Sequence, residues 1–250
     1  MKISIITVSF NSEGTIRQTI DSVFSQDYND IEYIIIDGSS TDETCSIINT
    51  YEKKISYFIS EKDDGIYDAM NKGIRAATGD VIGILNSDDF YADKHVISDV
   101  VKKFKSEKTD SLYADLIYVD TENTDKVKRY WKSNNFSRNK IKKGWTLPHP
   151  TFFVKKSVYD MYGLYSIRLK SSADYEMILR LLYKNCVSVY YFPKILVKMR
   201  AGGFSNNNLY SRIRGNREDV LAWNLNNLNI PFLLRYRKPL SKLNQFFKKP

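Results

Sequence analysis

The stretch "KISIITVSFNSEGTIRQTIDSVF", residues 2–24, decides the class of fold, because an apolar, β-branched run passes through a polar turn into an amphipathic segment. A near-continuous apolar run predicts a strand that is covered on both faces. The segment after the turn has apolar side chains at helical spacing, namely Ile16, Ile20, Val23 and Phe24. A buried strand followed at once by a helix is the repeating unit of an α/β protein with a parallel sheet.

The same alternation continues along the chain. In the first half, three further strands are predicted in the segments 31–38, 55–60 and 80–86, and a helix is predicted in 65–79. Another helix is predicted to begin at Ser40, because Ser40 and Glu43 have the spacing of a capping box. The second half is less regular, with predicted strands in 110–120, 126–132, 149–156, 187–192 and 194–200 and predicted helices in 171–185 and 208–227. The polar, basic stretch 134–143 is predicted to be a loop.

The net charge of +9 is concentrated towards the end of the sequence. From Lys194 onward there are twelve Lys and Arg residues against two acidic ones, whereas the preceding part is nearly neutral. Because a nucleic-acid-binding domain carries its positive stripe on the folded domain, nucleic acid is not expected as a partner. Within residues 230–250 the basic residues alternate with bulky apolar ones such as Phe232. This pattern suits an anionic membrane surface, and it suits a solvated helix with a frayed end equally well.

Cysteine usage and hydropathy indicate the compartment. Cys45 and Cys186 lie far apart and form no metal-ligand spacing, which favours a reducing environment. The apolar run at the start stops at Asn11 without a small-residue cleavage region, so it is interpreted as a strand and not as a signal peptide. No apolar stretch approaches the ~18 residues that a bilayer-spanning helix needs. A cytoplasmic location is therefore expected.

Polar clusters follow three of the predicted strands, at residues 9–11, 37–41 and 86–89. In an open α/β sheet the ligand crevice lies at the carboxyl ends of the strands, so these clusters are predicted to share one edge. The last cluster contains Asp88 and Asp89, two adjacent carboxylates that repel each other. Either they belong to a turn that caps a helix beginning near Ala92, or they bind a cation.

Four stretches carry a family resemblance, in the segments 4–28, 34–44, 63–89 and 173–181. They read "SIITVSFNSEGTIRQTIDSVFSQDY", "IIIDGSSTDET", "DDGIYDAMNKGIRAATGDVIGILNSDD" and "ADYEMILRL". In this order they resemble the family 2 glycosyltransferases with a GT-A fold, in particular bacterial enzymes of exopolysaccharide, capsule or O-antigen assembly of the colanic-acid type. The resemblance implies an α/β GT-A fold with a Rossmann-like, mostly parallel central sheet flanked by helices. It implies a domain over 1–205, with a nucleotide-binding half at about 1–110 and an acceptor-binding half at about 111–205. A helical, basic extension is expected over 206–250.

The resemblance also implies the reaction, which is inverting transfer of a single sugar from a nucleotide-diphosphate donor, by default a UDP-sugar. A divalent cation, Mg²⁺ or Mn²⁺, neutralises the diphosphate in such enzymes. The Asp-x-Asp motif of the family falls on Asn86-Ser87-Asp88, so Asp88 is the predicted metal ligand and Asp89 a supporting carboxylate. Asn86 departs from the family pattern, because a neutral amide contributes less metal affinity than a carboxylate.

Donor-binding residues follow from the same comparison. Asp37 is predicted to accept a hydrogen bond from uracil or ribose, with an Asx-type turn as the alternative. Arg200 is predicted to contact the diphosphate, with a solvated arginine as the alternative. The full set of predicted donor-binding residues is Thr7, Val8, Ser9, Asn11, Asp37, Asp64, Asn71, Lys72, Ser87 and Arg200.

The general base of the family maps onto Asp174, although Ala173 stands where a partner acid often precedes it. The alternative for Asp174 is a helix-start residue that interacts with the helix dipole. Because Asn86 and Ala173 depart from the family pattern, a second function is an alternative, that of a catalytically impaired GT-A-like protein that binds nucleotide or glycan. His149, between two prolines, is interpreted as a packed residue, with an acceptor contact as the alternative.

The resemblance implies a glycan or polyprenyl-diphosphate-linked acceptor in surface polysaccharide biosynthesis. Such an acceptor gives the basic tail a role at the inner face of the plasma membrane. Single transfer is favoured because the Gln-x-x-Arg-Trp motif of processive synthases is missing. A dinucleotide-dependent redox enzyme is excluded, since "VSFNSEG" stands where Gly-x-Gly-x-x-Gly is required. The sequence identifies neither the sugar nor the oligomeric state.

Overall fold

The computed structural model describes residues 1–202, 209–232 and 234. Its described strands form one sheet in the order β3-β2-β1-β4-β8-β6-β9-β5, with β7 paired to β6. The strands are β1 (Ile3–Ser9), β2 (Ile31–Asp37), β3 (Tyr57–Ser60), β4 (Val81–Ile84), β5 (Asp89–Tyr91), β6 (Ser111–Val119), β7 (Val127–Trp131), β8 (Phe153–Lys155) and β9 (Val189–Arg200). Strands β1 to β4 are parallel, and antiparallel pairs enter with β5, β7 and β8. The predicted α/β fold is confirmed.

Helices cover both faces of this sheet. They are α1 (Ile16–Phe24), α2 (Thr44–Asn49), α3 (Ile66–Ala76), α4 (Val96–Glu107), α5 (Arg138–Lys142), α6 (Lys156–Tyr162), α7 (Ala173–Ile178) and α8 (Leu209–Leu225). A π-helical segment, Leu179–Lys184, continues α7 directly. Alternate residues of β1 enter different cores, since Ile6 packs with α3 and α7 while Ile5 packs with α1 and α4. Burial of β1 along its whole length confirms the prediction of a strand covered on both faces.

Two predicted helix starts differ in the structure. No capping box forms at Ser40, and α2 begins at Thr44, because the Ser40 side chain is bonded to Asp37 instead. No helix begins near Ala92; strand β5 precedes that position, and α4 begins at Val96.

Two other differences concern the second half of the chain. The stretch 134–143, predicted as a loop, contains α5. The two closing strands are one strand, β9, whose register against β6 shifts between Phe192 and Ile195. Pro193 lies at that shift, and a proline that cannot donate to the ladder is accommodated at such an irregularity.

Helix α8 belongs to the same core as the sheet, although it lies in the predicted extension 206–250. Trp223 is 1% exposed, and its indole N–H donates to the Tyr175 hydroxyl in α7 over 3.1 Å. Trp223 is therefore a core residue that joins α8 to α7. The predicted boundary at residue 205 and the basic tail 235–250 lie outside the described residues. Within the part of the chain that is described, no helix has the length and apolarity needed to cross a membrane.

Candidate active site

Strands β1, β2 and β4 bring the three predicted polar clusters together at one edge of the sheet. Ser9 and Asp37 end their strands in register, and the Ser9 hydroxyl donates to Asp37 Oδ1 over 2.9 Å. The hydroxyls of Ser12 and Ser87 share a hydrogen bond of 2.8 Å, which joins the loop after β1 to the loop after β4. The side chains predicted to gather at this edge therefore do so.

Asp37 is fully buried at the centre of this edge. Its carboxylate accepts hydrogen bonds from the backbone N–H and hydroxyl of Ser40, at 2.8 and 2.5 Å, and from the Ser60 hydroxyl at 2.7 Å. The Cys45 thiol donates to it as well, over 3.3 Å. Burial raises the pKa of Asp37, but the bonds from Ser40, Ser60 and Ser9 outweigh burial, and the pKa lies below its usual value. Asp37 is thus an ionised anchor for the loops around it.

An exposed aromatic side chain, which the sequence analysis did not single out, lies beside this anchor. Phe10 is 62% exposed at the end of β1. A Cβ placed on Gly38 would lie 3.6 Å from the Phe10 ring and 2.6 Å from Asp63 Oδ2, so Gly38 leaves room between them. Asn11 follows in the left-handed region, with φ of 47°, and its side-chain oxygen accepts from the Thr41 N–H over 2.8 Å. In the sequence, the signal for this residue was an aromatic side chain placed within a polar loop.

Four residues of the predicted donor-binding set have side chains engaged within the protein, although Thr7 and Val8 are predicted to line the base pocket largely through backbone groups. Thr7 and Val8 are buried in β1, where the Thr7 hydroxyl pairs with the Tyr33 hydroxyl. Asn71 is 3% exposed, and both atoms of its amide bond the backbone of Tyr165, each at 2.9 Å. Lys72 pairs with Glu61 at 2.8 Å.

Asp64, in contrast, is exposed in the loop before α3. Its backbone carbonyl accepts from Lys170 Nζ over 2.6 Å. Because α3 begins directly after the loop that follows β3, this contact lies at the same edge of the sheet as Asp37.

The turn 86–89 places two carboxylates in contrasting surroundings. Asp88 is half-buried, whereas Asp89 is fully buried at the start of β5. Burial raises the pKa of Asp88, although the charge of Arg200 opposes the effect. Burial and then the charge of Asp88 raise the pKa of Asp89 well above its usual value. A like-charged, desolvated pair of this kind stabilises a bound cation, whose charge compensates both groups.

The same turn has two buried oxygens without a hydrogen-bond partner among the described residues, Asn86 Oδ1 and Asp89 Oδ1. The remaining oxygen of Asp89 accepts from the Asn86 amide over 3.2 Å. Within the described residues there is no cluster of three or more His, Cys, Asp or Glu that could hold a metal by itself. Mg²⁺, however, is commonly bound by one or two carboxylates together with substrate phosphates. Asp88, Asp89 and the Asn86 carbonyl fit a hard divalent cation of that kind.

Arg200 closes this part of the site from the end of β9. It is 8% exposed, and Nη1 donates to the backbone carbonyl of Asp88 over 2.5 Å. Nη2 donates to Gln18 in α1, and the guanidinium lies 5.1 Å from the centre of the Phe90 ring. The segment 203–208 that follows, including Phe204 and Ser205 of the "AGGFS" stretch, is outside the described residues. Arg200 is therefore a buried positive charge beside the carboxylates and not a solvated side chain.

Asp174 lies in the first turn of α7 and is half-buried. The hydroxyl of Tyr67, in the first turn of α3, donates to Asp174 Oδ1 over 3.1 Å. Because α3 begins at the carboxyl edge of the sheet, this bond places Asp174 at the edge that carries the polar clusters. His149 is nearby: burial lowers its pKa, while the charge of Asp174 opposes that effect.

Helix α8 holds the loop that leads into α7. The Glu218 carboxylate accepts backbone N–H bonds from Lys170, Ser171 and Ser172, at 3.2, 2.7 and 3.0 Å. Ser172 is the residue that caps α7 two positions before Asp174. The charge of Glu218 thus satisfies three backbone donors of the loop that leads into α7, a role that no local sequence pattern indicates.

Fold and site together define a GT-A glycosyltransferase, and solved structures show the same fold. TarS of Staphylococcus aureus in complex with UDP-GlcNAc superposes with a TM-score of 0.75 at 20% identity, covering 95% of this chain and 69% of that one. The mannosyltransferase PcManGT of Pyrobaculum calidifontis, in complex with GDP-Man and Mn²⁺, has a TM-score of 0.68 at 15% identity. The superposition covers 98% of this chain and 70% of that one. The chain spans 44% of the longer TarS structure.

Sequence comparison adds the family. The family model described as Glycosyl transferase family 2 matches residues 4–158. An uncharacterized glycosyltransferase of Mycobacterium tuberculosis is 33% identical over 180 residues, which are 71% of this chain and 68% of the relative. A PGL/p-HBAD biosynthesis glycosyltransferase of the same species is 26% identical over 208 residues, 81% and 78% of the two chains. The chain belongs to glycosyl transferase family 2 and is an enzyme of the transferase class; Asp174 and α8 lie beyond the matched segment.

Proposed function

We propose that this chain is an inverting, metal-dependent glycosyltransferase that moves one sugar from a UDP-sugar to a glycan or lipid-linked oligosaccharide. The observation that carries the proposal is the presence of two separate acidic centres at one edge of the sheet. One is the desolvated pair Asp88 and Asp89, and the other is the half-buried Asp174. A cation site for a diphosphate and a base for a hydroxyl are the two groups that such a transfer requires.

On the donor side, the loops anchored by Asp37 form the nucleoside site. Phe10 offers an exposed ring on which a nucleobase can stack, and Ser9, Asn11 and Asp64 provide polar groups beside it. UDP is proposed because one structural neighbour holds UDP-GlcNAc, although another holds GDP-Man. Asn71 and Lys72 are assigned here to holding α3, since their polar atoms are engaged within the protein.

At the diphosphate, Asp88 and Asp89 would hold Mg²⁺ or Mn²⁺, with Ser87 and Asn86 in the same turn. A bound divalent cation supplies Lewis-acid neutralisation of the leaving diphosphate. The contribution of Arg200 is to hold the Asp88 backbone and to place a positive charge beside both carboxylates. The protein thereby keeps two carboxylates ionisable in a buried turn.

In the transfer, Asp174 takes the proton of the acceptor hydroxyl while that oxygen bonds to the anomeric carbon of the donor sugar. The bond from the same carbon to the diphosphate oxygen breaks, and the nucleoside diphosphate leaves with the electron pair. Attack opposite the leaving group inverts the anomeric configuration. A positioned general base contributes about 10²–10⁴-fold to such a rate.

The acceptor is proposed to be a polyprenyl-diphosphate-linked glycan presented at a membrane surface. Support comes from Phe232, which is 84% exposed, and from the basic helix α5. Arg138 and Lys142 of α5 line a cavity of about 440 Å³ together with Ile230 and Pro231. Basic groups next to apolar ones suit an anionic lipid interface.

Calorimetric titration of UDP and of GDP, each with and without Mn²⁺, tests the donor site. We expect Mn²⁺-dependent UDP binding that is lost in Asp88→Ala. Binding should persist in Asp160→Ala, which removes an exposed carboxylate paired with Lys156. Absence of diphosphate binding under every metal condition would refute the donor site.

A screen of UDP-sugars for UDP release, followed by NMR of the anomeric configuration of the product, tests the reaction. We expect release by the wild type, inversion in the product and loss of release in Asp174→Asn. Metal-dependent binding without release from any nucleotide-sugar would support the second candidate function, a nucleotide-binding protein that has lost catalysis through Asn86 or Ala173.

A further inference from the structure

One face of α3 is directed at the proposed base. Tyr67 and Asn71 are four residues apart, so they lie one above the other on this face. The Tyr67 hydroxyl donates to Asp174 Oδ1 over 3.1 Å. One turn later, the amide of Asn71 donates to the Tyr165 carbonyl and accepts from the Tyr165 N–H, each at 2.9 Å.

Tyr165 links these two contacts. Its ring stacks on the Tyr67 ring with centroids 5.8 Å apart and planes 24° apart. Its hydroxyl shares a hydrogen bond of 2.6 Å with His149 Nε2. Since Tyr67 is 8% and Tyr165 4% exposed, packing leaves both rings little freedom to rotate.

We propose that Tyr67 is a positioning residue for the base: its hydroxyl fixes the orientation of the Asp174 carboxylate, and Asn71 holds Tyr67 in place through Tyr165. This inference rests on the proposed function, in which Asp174 accepts the proton of the acceptor. It also explains why the "GIYDAMN" stretch combines a buried tyrosine with a buried amide at helical spacing.

The effect of Tyr67 follows from the contact itself. A hydrogen bond donated to Oδ1 holds the Asp174 carboxylate in one orientation. Tyr67 remains a donor, because burial and then the charge of Asp174 raise the pKa of its hydroxyl well above the usual value.

Other titratable groups face this carboxylate from the elements packed around it. His149 and Tyr165 lie across from it, and both are influenced by its charge. Glu218 on α8 adds negative charge, and Lys170 adds positive charge in the loop that precedes α7. Removal of the Tyr67 hydroxyl leaves these groups in place and withdraws a hydrogen bond to Asp174.

The direct test is the carboxyl ¹³C resonance of Asp174 in the full chain, assigned by difference against Asp174→Asn. In Tyr67→Phe we expect this resonance to shift, because the hydrogen bond to Oδ1 is lost. Tyr28→Phe is the matched control, since the Tyr28 hydroxyl donates over 2.8 Å to the Met1 carbonyl at the opposite edge of the sheet. In that variant the Asp174 resonance should stay at its wild-type position.

The kinetic test uses UDP release from the donor that the screen identifies, with water as the acceptor. In Tyr67→Phe, kcat should fall about tenfold, as loss of a hydrogen bond to a charged group implies, with the donor KM unchanged. A Tyr67→Phe protein that folds, binds UDP and keeps both the Asp174 resonance and the kcat of the wild type would overturn the inference. If instead Asp174→Asn retains wild-type release, the assignment of the base fails, and the NMR result still decides whether Tyr67 holds the carboxylate.

Discussion

Arg200 Nη1 donates a hydrogen bond to the backbone carbonyl of Asp88 over 2.5 Å, although 112 residues separate the two in the sequence. The bond ties the end of β9 to the carboxylate turn after β4. Burial raises the pKa values of Asp88 and Asp89, and the charge of Arg200 opposes that rise at both. One arginine therefore sets both the shape and the charge of the proposed cation site.

Replacement of Arg200 should weaken Mn²⁺-dependent UDP binding. In Arg200→Ala the Asp88 carbonyl loses its donor, and both carboxylates lose a compensating charge. We therefore expect the affinity for UDP at pH 7 to fall about tenfold or more. This is the effect of losing a charged hydrogen bond of about 1.5–3 kcal/mol. Because the charge of Arg200 opposes the rise in the pKa of Asp88, its removal should also make the affinity fall more steeply as pH is lowered. Calorimetry between pH 6 and pH 9 measures both effects.

Two further variants show whether the effect on UDP binding is specific to Arg200. Arg200→Lys keeps the charge without the planar fork, so it should keep the pH dependence of the wild type but not the full affinity. Arg75→Ala removes an exposed arginine of α3 and should bind UDP normally. Wild-type affinity of Arg200→Ala at every pH would show that the contact has no role in the site.

Asp89 is expected to lower the stability of the metal-free protein. Its pKa is raised by burial and by Asp88, and Oδ1 lacks a partner among the described residues. The native state therefore holds a proton that the unfolded state has already lost, and stability falls as pH rises from about 4 through the raised pKa. Asp89→Asn should stabilise the metal-free protein at neutral pH by about 1–3 kcal/mol and abolish metal-dependent UDP binding.

Thermal unfolding from pH 4 to pH 8 checks the sign, because the advantage of Asp89→Asn should grow with pH. Asp93→Asn is the opposite case, since the hydrogen bond from Lys194 helps hold the pKa of Asp93 below its usual value, after burial has raised it. That variant should lose stability at neutral pH. An Asp89→Asn protein less stable than the wild type at pH 8 without metal would contradict the proposal that the buried Asp89 carboxylate destabilises the metal-free protein.

The parts of the site that follow from local pattern could be predicted from sequence. Burial along β1 and β2 is continuous, so their ends, and with them Ser9 and Asp37, could be located. Strand β5 could not, because Asp89–Tyr91 is extended only through pairing with β9, more than a hundred residues away. Ser40 has capping-box spacing, but the buried carboxylate of Asp37 competes for its hydroxyl, and this contact is visible only in three dimensions.

The same reasoning applies to Asn71 and Glu218. The motif around Asn71 predicts a place near the nucleoside, but it gives no sign that the Asn71 amide bonds the backbone of Tyr165, 94 residues further on. Glu218 lies in a helix whose sequence shows no motif, yet it satisfies three backbone donors before Asp174. Side chains that support a site through tertiary contacts have no local pattern, so sequence alone does not separate them from solvated residues.

Gly73 allows α3 to approach β1, and a side chain there should disturb the helix that carries Tyr67. A Cβ on Gly73 would lie 2.4 Å from Cγ2 of the buried Ile6, and 3.3 Å from two further atoms of that side chain. Overpacking of this kind lowers stability by about 1–3 kcal/mol. Gly73→Ala should therefore unfold at lower denaturant concentration than the wild type, and Gly14→Ala, where nothing lies within 4 Å, should not.

The last prediction concerns the link between α8 and the proposed base. Glu218→Ala removes the acceptor of three backbone N–H groups in the loop that ends at the cap of α7. We expect stability to fall by about 2–3 kcal/mol, because hydrogen bonds to a charged group are lost and Ser172 is buried. The rate of UDP release should fall about 10- to 100-fold as Asp174 shifts. Metal-dependent UDP binding should remain, since Asp88 and Asp89 have no contact with this loop among the hydrogen bonds of the described residues.

Comparison with neighbouring variants separates this effect from general destabilisation. Glu218→Gln keeps one acceptor oxygen but turns an N–H group towards other donors, so both stability and rate should lie between those of the wild type and Glu218→Ala. Arg217→Ala changes the adjacent, exposed position of α8 and should leave both unchanged. Equal losses of UDP affinity and of release rate in Glu218→Ala would mean that α8 supports the whole fold and not the base. A loss confined to the rate would extend the working site beyond the family-matched segment 4–158, to a helix whose own sequence gives no sign of that role.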